Sequence, residues 1–206
     1  MFGITETEML PYLSSVIPFI INWNFGKSSF KNKSNMKGYV HVYTGNGKGK
    51  TTAALGLAVR ALGAGKKVFI GQFAKSKQYS ELETINKLLT DITIKQYGMG
   101  CFIFEKPKEE DVLAAQQGLQ DIIEAIESDK YDVIILDEAN IAVHYNLISV
   151  EKLIEVISKR NERTEIIITG RYATQEIMDF ADLVTEMKEV KHYYQQGVQA
   201  RVGIEK

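Results

Sequence analysis

Cysteine is almost absent from this 206-residue chain: Cys101 stands alone, so no intrachain bridge can form and the chain is not a disulfide scaffold. A reducing, cytoplasmic compartment is the default reading of such a sequence. Cys101 itself reads as a small apolar filler, with a redox or nucleophilic role as the alternative. Proline is scarce too, at Pro11, Pro18 and Pro107 only, which argues against a collagen-like or low-complexity chain. No long hydrophobic run is present. The best, Met9–Phe25, is shorter than the roughly 20 residues of a spanning helix and is broken by Pro18. Glu6 and Glu8 stand where a secretory leader carries positive charge, so export is not expected.

Acid is missing from a long stretch. Met9–Ser80 holds eleven Lys and Arg and no Asp or Glu, whereas Glu81–Lys206 holds fourteen basic and twenty-four acidic residues, so the net charge of −1 hides an asymmetry. A field of one sign raises the local concentration of an anion, either a compact polyphosphate or a nucleic-acid backbone. Lysines that merely solvate a surface would give the same count. What is abundant is ordinary: 45% hydrophobic and 25% charged residues describe one globular domain with a full core.

Residues 1–35 differ in character from the rest, with two of the three prolines, five serines, the only tryptophan (Trp23) and the basic stretch Lys27–Lys33. They read as an N-terminal extension: a lid, a partner-binding arm, or residues upstream of a true start at Met36. The domain proper is expected over 36–206. There, β-branched runs alternate with helical patterns. Strands are expected at Tyr39–Tyr43, Lys67–Phe73, Ile92–Gln96, Asp132–Leu136, Glu165–Thr169 and Leu183–Met187, and helices at Lys50–Leu62, Glu81–Leu89, Glu109–Glu127, Val150–Lys159 and Gln175–Phe180. Ser80 with Glu83 has the spacing of a capping box, and Pro107 precedes the acidic first turn Glu109–Asp111. Val112, Ala115, Leu119, Ile122, Ile123 and Ile126 share one helix face and read as core. The alternation predicts an α/β fold, a mostly parallel sheet with helices on both faces.

Val40–Thr52 reads as a strand, a glycine-rich loop and a helix start, ending in Gly49-Lys50-Thr51 like a phosphate-binding loop. Thr44 stands where that pattern usually opens with glycine, and Gly45 is placed to take over. Small residues at Gly45, Asn46, Gly47 and Gly49 let backbone N–H groups curl around phosphate oxygens. Lys50 neutralises them, Thr51 offers a hydroxyl to magnesium, Thr52 continues the first turn and Lys48 adds a second cation. A dinucleotide fingerprint is excluded because Lys50 occupies its third glycine position. Val133–Glu138 is an apolar strand ending in Asp137 and Glu138, as expected where a buried strand delivers carboxylates to magnesium. Whether Glu138 positions water or holds the cation is open at this level. Ile166–Arg171 is a third strand ending in an arginine, with Arg171 facing either a polyphosphate or an acid of its own sheet edge. The histidines His41, His144 and His192 have no metal-ligand spacing, no serine sits in a nucleophile elbow, and no catalytic base stands out.

Together these residues resemble the corrinoid adenosyltransferases of the P-loop type, with a RecA-like fold. The resemblance runs from Met36 to Lys206 and rests on Val42–Thr52, Gly71–Phe73, Leu136–Glu138, Thr169–Arg171, Ala181–Met187 and the tail Val190–Glu205. It departs at Ser76, where many relatives have glycine, and in the first 35 residues. The resemblance implies that Co(I) of cob(I)alamin or cobyrinic acid a,c-diamide attacks C5′ of ATP and that triphosphate leaves, with the nucleotide lying in reverse sense in the loop. It implies that Lys50, Thr51 and Glu138 carry the chemistry, that Thr51, Asp137 and Glu138 hold magnesium, and that Arg60 and Arg171 join the loop in binding ATP. Phe102, Phe104 and His192 would face the corrinoid; Phe102 and Phe104 resemble the aromatic-x-aromatic pair that in related enzymes displaces the lower axial ligand to favour reduction to Co(I), while by themselves two Phe at alternate positions of an extended segment read as core. A homodimer and an electron donor such as a reduced flavoprotein are implied partners. An ATPase or kinase acting by phosphoryl transfer is the main alternative, and a nucleic-acid motor lacks the further motifs it would need. Replacing Phe102 and Phe104 by alanine is expected to suppress adenosylation from a Co(II) corrinoid plus reductant more than from pre-reduced Co(I), and equal loss in both assays would refute a role in reduction.

Overall fold

The computed structural model of the chain describes residues 36–75, 79–98 and 107–205; residues 1–35, Ser76, Cys101, Phe102 and Phe104 lie outside them. The order of elements is β1 (Val40–Thr44), α1 (Lys50–Gly63), β2 (Val68–Phe73), α2 (Ser80–Leu88), β3 (Ile92–Tyr97), α3 (Glu109–Glu127), β4 (Val133–Asp137), α4 (Ala139–His144), α5 (Val150–Ser158), β5 (Glu165–Thr169), α6 (Gln175–Phe180) and β6 (Leu183–Glu186), then a 3-10 turn at Tyr193–Gln196. Every strand predicted from the sequence forms, with no end moved by more than one residue. The periodicity overlooked α4 and the 3-10 turn, because six- and four-residue elements are too short to display one. No described helix is long and apolar enough to cross a membrane.

The sheet runs β3-β2-β4-β5-β1-β6 and every described pairing is parallel. One strand, β5, lies between the strand leading into the glycine loop and the strand ending in Asp137, which is the RecA-like arrangement. Both faces of the central strands are buried, which explains their unbroken apolar runs. Ile135, Ile167, Val68 and Ile70 face α1 and α2. Ile134, Leu136, Ile166 and Ile168 face the layer that includes α3 and α5. The predicted stripe of α3 is core: Ala115, Leu119, Ile122 and Ile126 are buried, with Val112 and Ile123 packed against them.

Helix starts follow local chemistry. Ser149 Oγ accepts from Lys152 N–H at the head of α5, and Thr174 Oγ1 from Ile177 N–H at the head of α6. At α3 the Asp111 carboxylate accepts from Lys108 N–H at 3.0 Å, with Pro107 just upstream. At α2 the expected cap shifts by one: Tyr79 is the N-cap and Ser80 opens the helix. Because the sheet is parallel, β1, β2, β4 and β5 all deliver their following residues to one edge.

Gly118 of α3 lies against the rings of Tyr97 and Phe73, where a Cβ would approach Tyr97 Cδ2 to 2.6 Å. Gly118→Ala is therefore expected to destabilise the domain by about 1–3 kcal/mol, read as a lower urea midpoint with an unchanged slope.

Candidate functional site

The glycine loop leaves β1 at Thr44 and enters α1 after Gly49. Gly45 and Gly49 have left-handed backbones, φ 94° and 121°, conformations that favour glycine. The chain beyond β6 crosses the loop: Gly47 N–H donates to Met187 O at 2.6 Å, and a Cβ on Gly45 or Gly47 would stand 2.6 Å from that same oxygen. Space as well as backbone geometry thus demands glycine. Gly49, the N-cap of α1, has no side chain to cap the helix and no acid lies in the first turn, which suits the opening N–H groups and positive end to an anion.

Lys50 is only 7% exposed. Its ammonium donates to Gly45 O and Gly47 O, each at 2.8 Å. Burial holds its pKa below the ordinary lysine value and Arg171 adds to that, against the pull of Glu138 and Asp137. An anion in the loop would relieve this penalty.

Asp137, 1% exposed, is the hub beneath the loop. Its Oδ1 accepts from Thr51 Oγ1 at 2.8 Å and Thr169 Oγ1 at 2.7 Å. Its Oδ2 accepts from Lys75 Nζ at 2.7 Å and Gln72 Nε2 at 3.1 Å. Burial alone would raise the Asp137 pKa, but Lys75 and the two hydroxyls hold it below the usual carboxylate range. Glu138 moves the other way: burial, then the neighbouring Asp137 charge, push it up. Its backbone is left-handed, φ 60°, and its N–H donates to Thr169 Oγ1 at 3.0 Å. Strain of this kind persists only where the surroundings hold it, and collects at functional sites.

A cleft of about 670 Å³ opens over the loop. Gly47 to Thr52, Glu138, Arg171 and His192 of the predicted set line it, while Asp137 lies underneath Thr51 and Gly45 and Asn46 are not among the lining residues. Arg60 is not brought there. It sits in the last turn of α1, ten residues from Lys50 and so about 15 Å along the helix, and its charge acts on Tyr43 together with Glu165 at the start of β5. Phe102 and Phe104 lie outside the described residues. His41 pairs with Glu165 at 2.6 Å, away from the cleft, as a structural histidine should.

Lys75 was missed by motif reading. It follows the end of β2, and its ammonium also lies 5.2 Å from the Tyr79 ring centre. A signal was present, since any polar residue just past a parallel strand falls on this edge. The tail residues Tyr193 and Glu205, which reach Lys48, had no such signal.

The donor set suits a magnesium ion. Thr51 and Asp137 offer hard oxygens side by side, and Glu138, raised by burial and a like charge, is a carboxyl group that a divalent cation would hold ionised. Among the described residues no group of three or more His, Cys, Asp or Glu forms a cage, and magnesium characteristically takes one or two protein carboxylates together with phosphates and waters.

Lys75→Ala leaves the Asp137 charge buried without its partner and is expected to cost about 3–5 kcal/mol of stability at pH 7. The folded pKa of Asp137 is depressed, so its contribution is present above the unfolded value near 3.9 and is lost as pH falls through the folded one. Urea unfolding at several pH values should show the gap between variant and wild type closing over that acid range.

The profile of the family described as ATP:corrinoid adenosyltransferase BtuR/CobO/CobP matches residues 36–205. The chain is 34% identical over 171 residues to the corrinoid adenosyltransferase of Escherichia coli (strain K12), covering 82% of this chain and 86% of that one. It is 35% identical over 171 residues to the corrinoid adenosyltransferase CobA of Salmonella typhimurium, with the same two coverages. Among solved structures, the flagellar accessory protein FlaH of Methanocaldococcus jannaschii superposes with a TM-score of 0.52 over 73% of this chain and 71% of that one, at 16% identity, a likeness of fold alone. With the family profile spanning the whole domain beyond the extension, this chain belongs to the ATP:corrinoid adenosyltransferase BtuR/CobO/CobP family.

Proposed function

We propose that the adenosyl transfer of this family runs here with the loop 45–52 gripping the triphosphate of ATP as a leaving group. The observation that carries the reading is the glycine cradle with buried Lys50, set directly above the Thr51–Asp137 oxygen pair. Lys48, Lys50 and the N-terminus of α1 bind the phosphates, and Arg171 stands across the cleft to take up charge. Thr51, Asp137 and Glu138 would hold magnesium, which when bound would offset charge on the departing triphosphate.

The corrinoid brings the nucleophile. An electron pair on substrate Co(I) forms the Co–C bond to C5′, the C5′–O bond breaks, and its electrons leave on triphosphate. No proton has to be removed from the nucleophile, so the residues' tasks are to orient, neutralise and exclude water. The chain's own arrangement is suited to that. Thr51 and Thr169 are held by Asp137, and Lys75 keeps Asp137 ionised. The homodimer, the reduced flavoprotein donor, the cytoplasmic setting and a corrinoid-facing role for Phe102, Phe104 and His192 belong to the same reading.

The test is anaerobic incubation with ATP, magnesium and chemically reduced corrinoid. Inorganic triphosphate and a light-sensitive Co–C product are expected, and Lys50→Ala should lower kcat by about 10²–10³-fold. Formation of ADP and phosphate in place of triphosphate would assign the loop to phosphoryl transfer instead.

A further inference from the structure

The described tail after Met187 is thinly packed. Val190 is 90% exposed and Val202 80%, so apolar burial contributes little to its position. Two polar attachments join it to the loop: the Met187 backbone at one end and Glu205 at the other. Glu205 Oε1 accepts from Lys48 Nζ at 2.9 Å, from Tyr193 OH, and from Arg201 Nη2 at 3.1 Å. Its Oε2 accepts from Arg201 N–H at 2.9 Å and Arg201 Nε at 3.2 Å. Lys48 Nζ also donates to Tyr193 OH at 3.2 Å.

The two partners are unequally bound. A carboxylate has about four lone-pair sites, and Arg201 and Tyr193 fill them whether or not Lys48 is present. Releasing Lys48 therefore leaves Glu205 satisfied. Lys48 is 40% exposed and lines the same cleft as Lys50 and Thr51, so a polyphosphate in the loop lies within its reach. An ammonium on a flexible stem goes to the stronger anion.

We propose that Glu205, together with Tyr193, is the positioning residue of Lys48: it holds that ammonium on the tail side of the cleft and competes with the polyphosphate for it. It thereby sets how tightly the three-phosphate product is retained. This rests on the functional reading above and adds a residue to it: Glu205 stands at the margin of the same cleft, and the role given to it here runs through Lys48.

Calorimetric titration of the full chain with inorganic tripolyphosphate and magnesium tests it, without relying on turnover. Glu205→Gln is expected to bind about two- to five-fold more tightly than wild type, the scale of a partly exposed ion pair. Tyr193→Phe should show a smaller gain, and Glu205→Asp, which restores the charge, should return the affinity toward wild type. In a Lys48→Ala background the Glu205→Gln change should have no effect. The same gain in that background would mean that Glu205 acts by general repulsion of anions and would overturn the proposal, as would unchanged or weaker binding by Glu205→Gln alone. Failure of wild type to bind tripolyphosphate would overturn the functional reading and this proposal with it, whereas binding without the predicted cycle overturns this proposal alone.

Discussion

One buried carboxylate organises the working edge of this protein. Asp137 ends β4 and accepts from Thr51 of α1, Thr169 of β5, and Gln72 and Lys75 at the end of β2. Burying a charge is tolerable only when its lone pairs are met by donors and its charge by a partner. Those four side chains do both, and in doing so they fix the spacing of three strand ends and the first turn of α1. The glycine loop is held in place from below by this carboxylate, through Thr51, and from the side by Met187.

The edge is strained and electrostatically tense. Gly45, Gly49, Ala74, Glu138, Gly170 and Tyr172 all have positive φ there. Lys50 is disfavoured as a cation by burial, and Glu138 is disfavoured as an anion by burial and by Asp137. Both costs are of the kind that a polyphosphate and a divalent cation arriving together would relieve. The charge asymmetry along the chain takes on a meaning in space: Lys48, Lys50 and Lys75 come from the acid-free stretch, and Asp137, Glu138 and Glu205 from the acidic remainder. Long-range parallel pairing brings the two halves together at one cleft.

Much of this was legible in the residues. The strand, glycine loop and helix at Val40–Thr52, the apolar strand ending in Asp137 and Glu138, and the single-faced stripe of α3 each have a local pattern with one physical meaning. Short-range chemistry was less reliable at the ends of elements, as with the cap at Tyr79 in place of Ser80, because tertiary contacts decide such one-residue choices. Arg60 was given an ATP-binding role without a local pattern behind it, and the structure places it at the far end of α1 from Lys50.

Alternating periodicity, glycine spacing and the placement of acids at strand ends sufficed to determine an α/β domain with a glycine loop and a pair of carboxylates at strand ends, since each is written within a dozen consecutive residues. The tertiary structure alone decided that Lys75 neutralises Asp137, that Met187 excludes any side chain from Gly45 and Gly47, and that Glu205 reaches Lys48 across 157 positions. Those contacts depend on strand order and on where a loosely packed tail comes to rest, and no local pattern encodes a distance between residues so far apart in the chain.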